Sequence, residues 1–319
     1  MRIVKTDGVL ETYDADRAEF AGLDITFDEI TSLTEAELIS NCEGASALLV
    51  LREPITARVL DALPQLRVIG RFGVGLDSID VQAATNRGIV VTNVPDSNIT
   101  EVATHAVALA LALTRRLHRY DRSIRSGQWD FEGPGAGVRR VSTQVFGLIG
   151  FGKIGQRVAA SAKAIGFEVW AHDPFMSDDA ISSHGVRPAS FSDLIAGADV
   201  VSIHVPLIET TRNLIGAAEL AKFKAGANLI NVSRGGLVDE VALAAAVAGG
   251  HLAGAGLDTF AVEPLAPNNP LRDLENVILS PHAAHYSAES YAETRLKAFR
   301  DVARVLGGKT PFYAVNAVN

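Results

Sequence analysis

The feature that most constrains this fold is a glycine-rich segment placed between a predicted strand and a predicted helix. An apolar run over residues 145–149 precedes Gly150-Phe151-Gly152-Lys153-Ile154-Gly155, and a helical pattern follows to residue 165. Gly150 permits a tight turn, Gly152 lets a pyrophosphate approach the backbone, and Gly155 lets helix and strand pack closely. The start of the helix offers unpaired N–H groups and a positive dipole end to the phosphates.

Asp173 stands just after the next predicted strand, residues 168–170. A carboxylate at that point accepts both ribose hydroxyls of the adenosine half of a dinucleotide, whereas a 2′-phosphate would meet like charge. No arginine directly follows Asp173, so the sequence favours NAD over NADP. The alternative, in which Asp173 only caps a turn before Pro174, leaves the glycine pattern unexplained.

Short β-branched runs alternate with helical segments along the chain, which is typical of a parallel α/β sheet. A chain of 319 residues is too long for one ordinary core. One series of strands ends near residue 91, a second begins at residue 145, and one long helix is predicted between them over residues 100–125. The helix predicted over residues 288–306 follows the last strand, so we expect it to pack back on the first domain.

The sequence therefore predicts two Rossmann-like, doubly wound parallel-sheet domains. An NAD-binding domain over residues 99–285 would be inserted into a flavodoxin-like substrate domain over residues 1–98 and 286–319. The chain would pass between the two domains twice, and these two connections would form a hinge. A cleft between domains is a common binding site for a small ligand.

Composition and charge exclude several classes of partner. The formal net charge is −8, which argues against a nucleic-acid partner. The longest apolar stretch, residues 102–113, is interrupted by Thr104 and His105 and is too short to span a bilayer. A single cysteine, Cys42, excludes an internal disulfide, and the start of the chain has no signal-peptide pattern. We therefore expect a cytoplasmic protein, interpret Cys42 as a packing residue, and assign no metal site.

Three polar residues follow predicted strands in the second half of the chain. Arg234 comes after residues 228–231, Glu263 after 254–257, and His282 after 277–279. A guanidinium binds a carboxylate in bidentate fashion. A histidine paired with a carboxylate is held in one tautomer and can protonate a ketone oxygen as hydride arrives. Each residue alone fits a structural role better, and spacing does not show that Glu263 touches His282.

Six segments together resemble the D-2-hydroxyacid dehydrogenases, the family that contains phosphoglycerate, glycerate and D-lactate dehydrogenases. The resemblance covers nearly the whole chain. Its segments are residues 71–80, 93–95, 150–155, 231–239, 256–264 and 280–282.

The resemblance implies roles for residues that spacing alone does not assign. Arg234 would orient the substrate carboxylate, with His282 as acid/base and Glu263 as its partner. Asp258 would reach the nicotinamide carboxamide, and Thr104 would lie near the cofactor.

Further contacts are implied at the edges of the site. The loop Gly73-Val74-Gly75 would bind the substrate carboxylate through backbone N–H groups, and His204-Val205-Pro206 would line the adenine end. The remaining predicted contacts are those of Lys153, Ile154 and Val232 with the cofactor and of Arg71 and His285 with the substrate. The usual assembly of the family implies a homodimer through the nucleotide domains.

Within the family, residues 281–287 and 234–240 look most like the C-terminal-binding-protein branch. Animal members of that branch carry a tryptophan at the position of His285, so their preference for an apolar oxo acid does not carry over. His285 would either meet a polar or anionic substrate tail or lie at the rim without a role. Arg71 is a stronger candidate for the pocket than Arg52, because its loop is the matched one.

We therefore predict an NAD-dependent oxidoreductase that acts on the CH–OH group of a small 2-hydroxy acid, phosphoglycerate dehydrogenase-like. Nothing follows Asn319 that could be the regulatory domain of long phosphoglycerate dehydrogenases, so feedback through such a domain is not expected. The alternative is an NADH-sensing, corepressor-like binding protein. The presence of Arg234, Glu263 and His282 favours the enzyme, because a sensor needs only the cofactor site.

Overall fold

The computed structural model of the chain describes residues 1–32 and 34–318. The chain divides into two compact units, unit 1 (residues 1–98 and 286–319) and unit 2 (residues 99–285). Each unit is built on a sheet of parallel strands flanked by helices. The predicted α/β fold class is confirmed.

The sheet of unit 1 has the strand order β2-β1-β3-β4-β5, which is the flavodoxin-like order. Its strands are β1 (Arg2–Lys5), β2 (Thr26–Glu29), β3 (Ala45–Val50), β4 (Val68–Arg71) and β5 (Val90–Thr92). Its helices are α1 (Asp14–Arg17), α2 (Glu35–Asn41), α3 (Ala57–Ala62), α4 (Val81–Asn86) and, from the far end of the chain, α12 (Ala288–Leu306).

Helix α12 covers one face of this sheet. Its residues Ala298, Phe299 and Val302 recur at helical spacing and are buried in one cluster with Phe72. A Cβ atom at Gly70 in β4 would lie 2.6 Å from Cγ2 of Val302, so glycine at this position lets the helix approach the strand. The chain thus returns to unit 1 after it has completed unit 2.

Cys42 lies on the other face of the unit 1 sheet, where α2 ends. It is fully buried in an apolar cluster with Leu38 and Val59. Burial raises the pKa of its thiol to about 11, so the thiol is protonated and unreactive at neutral pH. These properties fit a packing residue.

The sheet of unit 2 has the strand order β12-β11-β10-β9-β6-β7-β8. Its strands are β6 (Val145–Ile149), β7 (Glu168–His172), β8 (Arg187–Pro188), β9 (Val200–Ile203), β10 (Asn228–Asn231), β11 (Gly254–Leu257) and β12 (Val277–Leu279). Its helices are α5 (Ile99–Thr114), α6 (Leu117–Arg125), α7 (Lys153–Ile165), α8 (Asp178–Ser183), α9 (Phe191–Gly197), α10 (Ala217–Leu220) and α11 (Glu240–Ala248). The direction of winding reverses between β6 and β9, and ligands of such sheets bind at this switch point.

Helix α5 is mostly apolar and packs on the unit 2 sheet, with Val102, Leu109 and Leu113 buried. A Cβ atom at Gly256 of β11 would lie 3.0 Å from Cβ of Leu109, so a glycine in the strand permits this close packing. In the part of the chain that the structure describes, no helix is long and apolar enough to cross a membrane.

The prediction of a single helix over residues 100–125 is wrong, because the helix is interrupted near its middle. Arg116 adopts a left-handed backbone with φ 53°, which separates α5 from α6. A left-handed residue cannot continue a right-handed helix, and the apolar pattern does not reveal such a break. Strands β2 and β8 were also not predicted. Both are edge strands, and no residue of β2 is buried, which weakens the apolar signal of this strand.

Candidate active site

The predicted functional residues of unit 2 other than Thr104, which is on α5, follow its strands and therefore lie at the carboxyl edge of one parallel sheet. The glycine-rich turn follows β6, Asp173 follows β7, and His204 follows β9. The remaining positions are Val232 and Arg234 after β10, Asp258 and Glu263 after β11, and His282 and His285 after β12.

The glycine-rich turn is shaped by two close backbone approaches. Gly150 has φ +94°, and a Cβ atom there would lie 2.6 Å from the carbonyl oxygen of His204. A Cβ atom at Gly155 would lie 2.5 Å from the carbonyl oxygen of Gly150. A Cβ atom at Gly152 would meet nothing within 4 Å, so packing does not explain glycine there. Gly152 caps α7, which opens with Lys153 and Ile154, and this open backbone fits a pyrophosphate.

Asp173 ties the end of β7 to this turn. Its Oδ2 accepts the N–H of Phe151 at 2.8 Å, and its Oδ1 accepts the N–H of Phe175 at 2.9 Å. The half-buried carboxylate is therefore fixed directly beside the glycine turn. This position fits a ribose-binding acid, and it also gives Asp173 the structural role that the alternative interpretation proposed.

His204 follows β9 on the other side of the switch point. Its backbone N–H donates to the carbonyl of Ile149 at 2.7 Å, and its Nε2 lies 2.9 Å from Oγ of Ser202. Burial lowers the pKa of its imidazole to about 4, so the ring is neutral at physiological pH. Val205 and Pro206 continue the chain away from the strand.

Arg234 is held in a pinned turn. The amide of Asn231 donates to the carbonyl of Arg234 at 2.9 Å, and one guanidinium N–H of Arg234 donates to the carbonyl of Ser233 at 2.8 Å. Gly235 packs directly on the backbone of Phe260, where a side chain would overlap it. The half-buried guanidinium is thus carried by a turn that contacts the segment after β11.

His282 and Glu263 form a hydrogen-bonded pair. Nδ1 of His282 lies 2.7 Å from Oε2 of Glu263, while Oε1 of the same carboxylate accepts the N–H of Phe260 at 3.1 Å. Both side chains are partly buried, with 29% and 28% of their surface exposed. The carboxylate therefore keeps the proton on Nδ1 and directs Nε2 elsewhere.

Glu240 supports the turn that carries Glu263. Its Oε1 accepts the N–H of Ala261 at 2.6 Å, and its Oε2 accepts the amide of Asn269 at 2.8 Å. The sequence motif contained Glu240, but its role was not predicted. The available signal was its position next to Asp239, which caps helix α11.

Asp258 anchors the backbone of the loop that carries His282. It is fully buried, and its carboxylate accepts the hydroxyl of Ser280 at 2.6 Å and the N–H groups of Ala283 and Ala284, each at 2.8 Å. Its predicted contact with the nicotinamide stays a prediction.

Thr104 and His105 are neighbours on α5 with different surroundings. The hydroxyl of Thr104 is exposed and donates to the carbonyl of Thr100 at 2.8 Å, and its cofactor contact stays a prediction. Nε2 of His105 lies 2.9 Å from Oγ of Ser280. Neither His105 nor Ser280 was assigned a role from sequence, although a histidine inside an apolar helix pattern was a usable signal.

The loop after β4 belongs to unit 1. Gly73 has φ +122° and packs directly on the guanidinium of Arg71, which donates to the carbonyl of Phe72 at 2.9 Å. Val74 is exposed, and its carbonyl accepts the side-chain amide of Asn93 at 2.8 Å. The predicted substrate contacts of Arg71, Val74 and Gly75 stay predictions.

His285 lies close to the acid/base candidate. Its ring centroid is 5.7 Å from that of His282, with the two ring planes at 87°. This edge-to-face arrangement restricts the orientation of both imidazoles. Contact of His285 with a substrate stays a prediction.

Comparison with known proteins identifies the family. A sequence model of the "D-isomer specific 2-hydroxyacid dehydrogenase, NAD binding domain" matches residues 107–284, which lie within unit 2 and make up more than half of the chain. The chain belongs to the D-isomer specific 2-hydroxyacid dehydrogenase family. The predicted family is thereby confirmed, whereas its C-terminal-binding-protein branch stays a prediction.

Individual relatives agree with this assignment. The chain is 38% identical over 287 residues to D-3-phosphoglycerate dehydrogenase of Archaeoglobus fulgidus, which covers 90% of this chain and 54% of the relative. It is 40% identical over 256 residues to glyoxylate reductase of Korarchaeum cryptofilum, covering 80% of this chain and 76% of that one. Among solved structures, D-lactate dehydrogenase of Aquifex aeolicus with NAD and lactic acid is 26% identical, with a TM-score of 0.88 over 100% of both chains.

The chain spans about half the length of the phosphoglycerate dehydrogenases that it matches, 53–55% for those of Mycobacterium and Synechocystis. The glyoxylate reductase and the D-lactate dehydrogenase are covered more fully. Membership in the family therefore does not name one substrate.

Proposed function

We propose that the chain is an NAD-dependent D-2-hydroxyacid dehydrogenase that interconverts a small 2-oxo acid and the corresponding D-2-hydroxy acid. The observation that carries the proposal is the 2.7 Å pair of His282 and Glu263. This pair lies at the carboxyl edge of the sheet that also carries the glycine-rich turn. A proton-transfer group and a dinucleotide-binding turn on one edge are the two parts that a nicotinamide-dependent dehydrogenase requires.

The residues of unit 2 fit NAD. The open backbone at Gly152 and the first N–H groups of α7 would hold the pyrophosphate, and Asp173 would accept the adenosine ribose hydroxyls. The other proposed contacts are Gly150, Lys153, Ile154, Gly155, His204, Val205, Pro206, Val232, Thr104 and Asp258. When bound, NAD(H) supplies or accepts the hydride at C2 of the substrate.

Arg234 would bind the substrate carboxylate. A planar guanidinium offers two parallel N–H groups to a carboxylate, which fixes the position of C2 as well as the charge. The turn around Arg234 is pinned by Asn231 and by the packing of Gly235, so little further ordering is needed on binding. Positioning of this kind accounts for a large part of enzymatic rate enhancement.

His282 would move the proton. Glu263 holds Nδ1–H, so Nε2 is the nitrogen that exchanges a proton with the substrate oxygen. In reduction, the imidazolium form of His282 gives the proton on Nε2 to the ketone oxygen and becomes neutral. Glu263 stabilises the imidazolium form before this transfer. In oxidation, neutral Nε2 removes the proton of the hydroxyl group.

The proposal includes a homodimer located in the cytoplasm. Leu117, Ile124, Trp129 and Phe131 are exposed apolar residues in and after α6, and they support a homodimer formed through unit 2. A single buried cysteine, Cys42, fits the reducing cytoplasm.

The test is NADH oxidation with a panel of 2-oxo acids: glyoxylate, hydroxypyruvate, pyruvate, 2-oxoglutarate, phosphohydroxypyruvate and 4-methylthio-2-oxobutyrate. We expect saturable turnover of at least one, and the preferred tail would show whether His285 and Arg71 serve an anionic group. Tight NADH binding without turnover of any compound would instead favour an NADH-sensing binding protein. A pull-down of partners with and without NADH would then follow.

A further inference from the structure

The loop that carries His282 is held in an uncommon backbone conformation. His282 has φ 54°, in the left-handed region that non-glycine residues rarely occupy. The two N–H groups that follow, of Ala283 and Ala284, both point to the carboxylate of Asp258. Successive N–H groups at a left-handed residue form a concave anion site, and here the bound anion is a buried side chain of the same protein.

Asp258 also holds His282 itself. The backbone N–H of His282 donates to the carbonyl oxygen of Asp258 at 2.8 Å. The hydroxyl of Ser280 donates to Oδ1 of Asp258 at 2.6 Å. Because Asp258 is fully buried, its carboxylate is solvated by these donors rather than by water, and the loss of one hydrogen bond would weaken the others.

His105 completes this network from helix α5. Its Nε2 lies 2.9 Å from Oγ of Ser280 and 3.7 Å from Oδ1 of Asp258. A hydroxyl has one proton, and that of Ser280 is donated to Asp258. Ser280 must therefore accept from His105, so Nε2 of His105 carries a proton.

We propose that His105 is a positioning residue for proton transfer, acting through Ser280 and Asp258 on the backbone at His282. This inference rests on the proposed dehydrogenase function. His105 fixes the direction of the Ser280 hydroxyl, that hydroxyl and the loop N–H groups fix Asp258, and Asp258 maintains the left-handed turn that aims the imidazole of His282. A displacement of the imidazole by about 1 Å can lower the reaction rate roughly 100-fold.

The decisive comparison is between two variants at one position. His105→Leu removes the N–H donor, whereas His105→Gln keeps an N–H group at the same number of bonds from Cβ. We expect H105L to lower kcat by roughly 10- to 100-fold, since a misplacement of the reacting groups by up to about 1 Å lowers the rate on this scale. H105Q should recover most of that loss. The Kd for NADH should change much less than kcat in either variant, because Asp258 is one of many proposed cofactor contacts whereas the proposed effect is on the proton-transfer step.

Hydrogen–deuterium exchange of residues 280–285 gives a readout that does not need activity. H105L should increase exchange at Ala283 and Ala284, and H105Q should not. The matched control is His251→Leu, which removes a half-buried imidazole between α11 and β11, at the amino end of that strand and away from the Asp258 network. H251L should leave exchange in 280–285 and kcat near the wild-type values.

The outcomes separate this inference from the proposed function. If the wild-type protein reduces no 2-oxo acid but H105L loosens the loop and H105Q does not, the relay exists and the proposed function is wrong. If the wild-type protein is active and H105L matches H105Q in kcat and in exchange, the role of His105 is overturned. Should H105L fail to fold, Ser280→Ala against Ser280→Thr tests the same relay, since threonine keeps the hydroxyl.

Discussion

Nδ1 of His282 lies 2.7 Å from Oε2 of Glu263, although the two residues are far apart in sequence for a side-chain contact. The pairing depends on two supports. Glu240 holds the turn before Glu263 through the N–H of Ala261, and Asp258 holds the loop after β12. The hydrogen-bonded pair is therefore held by two separately anchored loops that meet at the edge of one sheet.

Replacing His282 by alanine should lower kcat for the preferred 2-oxo acid by roughly 100- to 10,000-fold, the usual contribution of a general acid–base group. NADH affinity should change little, because His282 does not belong to the glycine-rich turn. Steady-state kinetics and NADH fluorescence titration measure the two quantities. Glu263→Gln is the companion variant: it keeps an oxygen that accepts Nδ1–H but removes the charge, so it should be impaired less. Unchanged turnover in H282A would exclude His282 from the reaction.

Much of this site could be predicted because its residues follow strands directly. Local patterns placed Arg234 and His282 just after apolar runs, and parallel strands bring such positions to one edge. The contact between β11 and β12 could not be predicted in the same way. Leu257 pairs with Leu279 in that ladder, and this register sets Asp258 beside Ser280. Register depends on tertiary packing, so the residue pattern alone does not reveal the Asp258 network.

The break between α5 and α6 illustrates a second limit. Residues on both sides of Arg116 have good helical propensity, and only a left-handed backbone at that residue divides the helix. Strand β2 illustrates a third, because an edge strand with exposed positions lacks the apolar pattern of a buried one. Neither feature can be recognised from the local apolar pattern.

Asp173→Asn should weaken discrimination between NADH and NADPH. The variant removes the negative charge that opposes a 2′-phosphate, while its amide oxygen can still accept the N–H of Phe151. NADH affinity should fall by roughly tenfold, as expected for loss of one charged hydrogen bond. Titration with both cofactors measures the ratio, and Asp193→Asn, at the start of α9, is a matched control outside the turn. An unaltered ratio of the two affinities in D173N would show that Asp173 does not determine the choice between NADH and NADPH.

His204 should make the protein sensitive to acid. Its pKa is about 4 in the folded protein and about 6.5 when unfolded. Above pH 6.5 the ring is neutral in both states and contributes nothing. As the pH falls below that value only the unfolded chain takes up the proton, so stability decreases until about pH 4 and then levels off.

By pH 5 this loss should reach about 2 kcal/mol relative to pH 7. His204→Gln keeps an atom near Nε2 that can bond Ser202 but does not titrate. Urea unfolding at pH 7 and pH 5 should show a smaller difference for H204Q than for the wild-type protein. Equal differences would assign the acid sensitivity to other groups.

Trp129→Lys should dissociate the proposed homodimer. Trp129 is 94% exposed in the isolated chain, which a monomer would rarely tolerate beside other exposed apolar residues. If it packs at an interface, its loss should weaken association by about 2 kcal/mol, or roughly 30-fold in Kd. Sedimentation velocity should give twice the 33.7 kDa chain mass for the wild-type protein and a larger monomer fraction for W129K.

The matched control is Phe175→Lys. Phe175 is also an apolar residue of unit 2 and is 92% exposed, but it follows β7 rather than α6. F175K should sediment as the wild-type protein does, because the proposed interface is formed by residues 117–131. Dissociation by F175K but not by W129K would place the interface at the segment after β7 instead of at residues 117–131. A monomeric wild-type protein would leave the exposed face of α6 to a different partner.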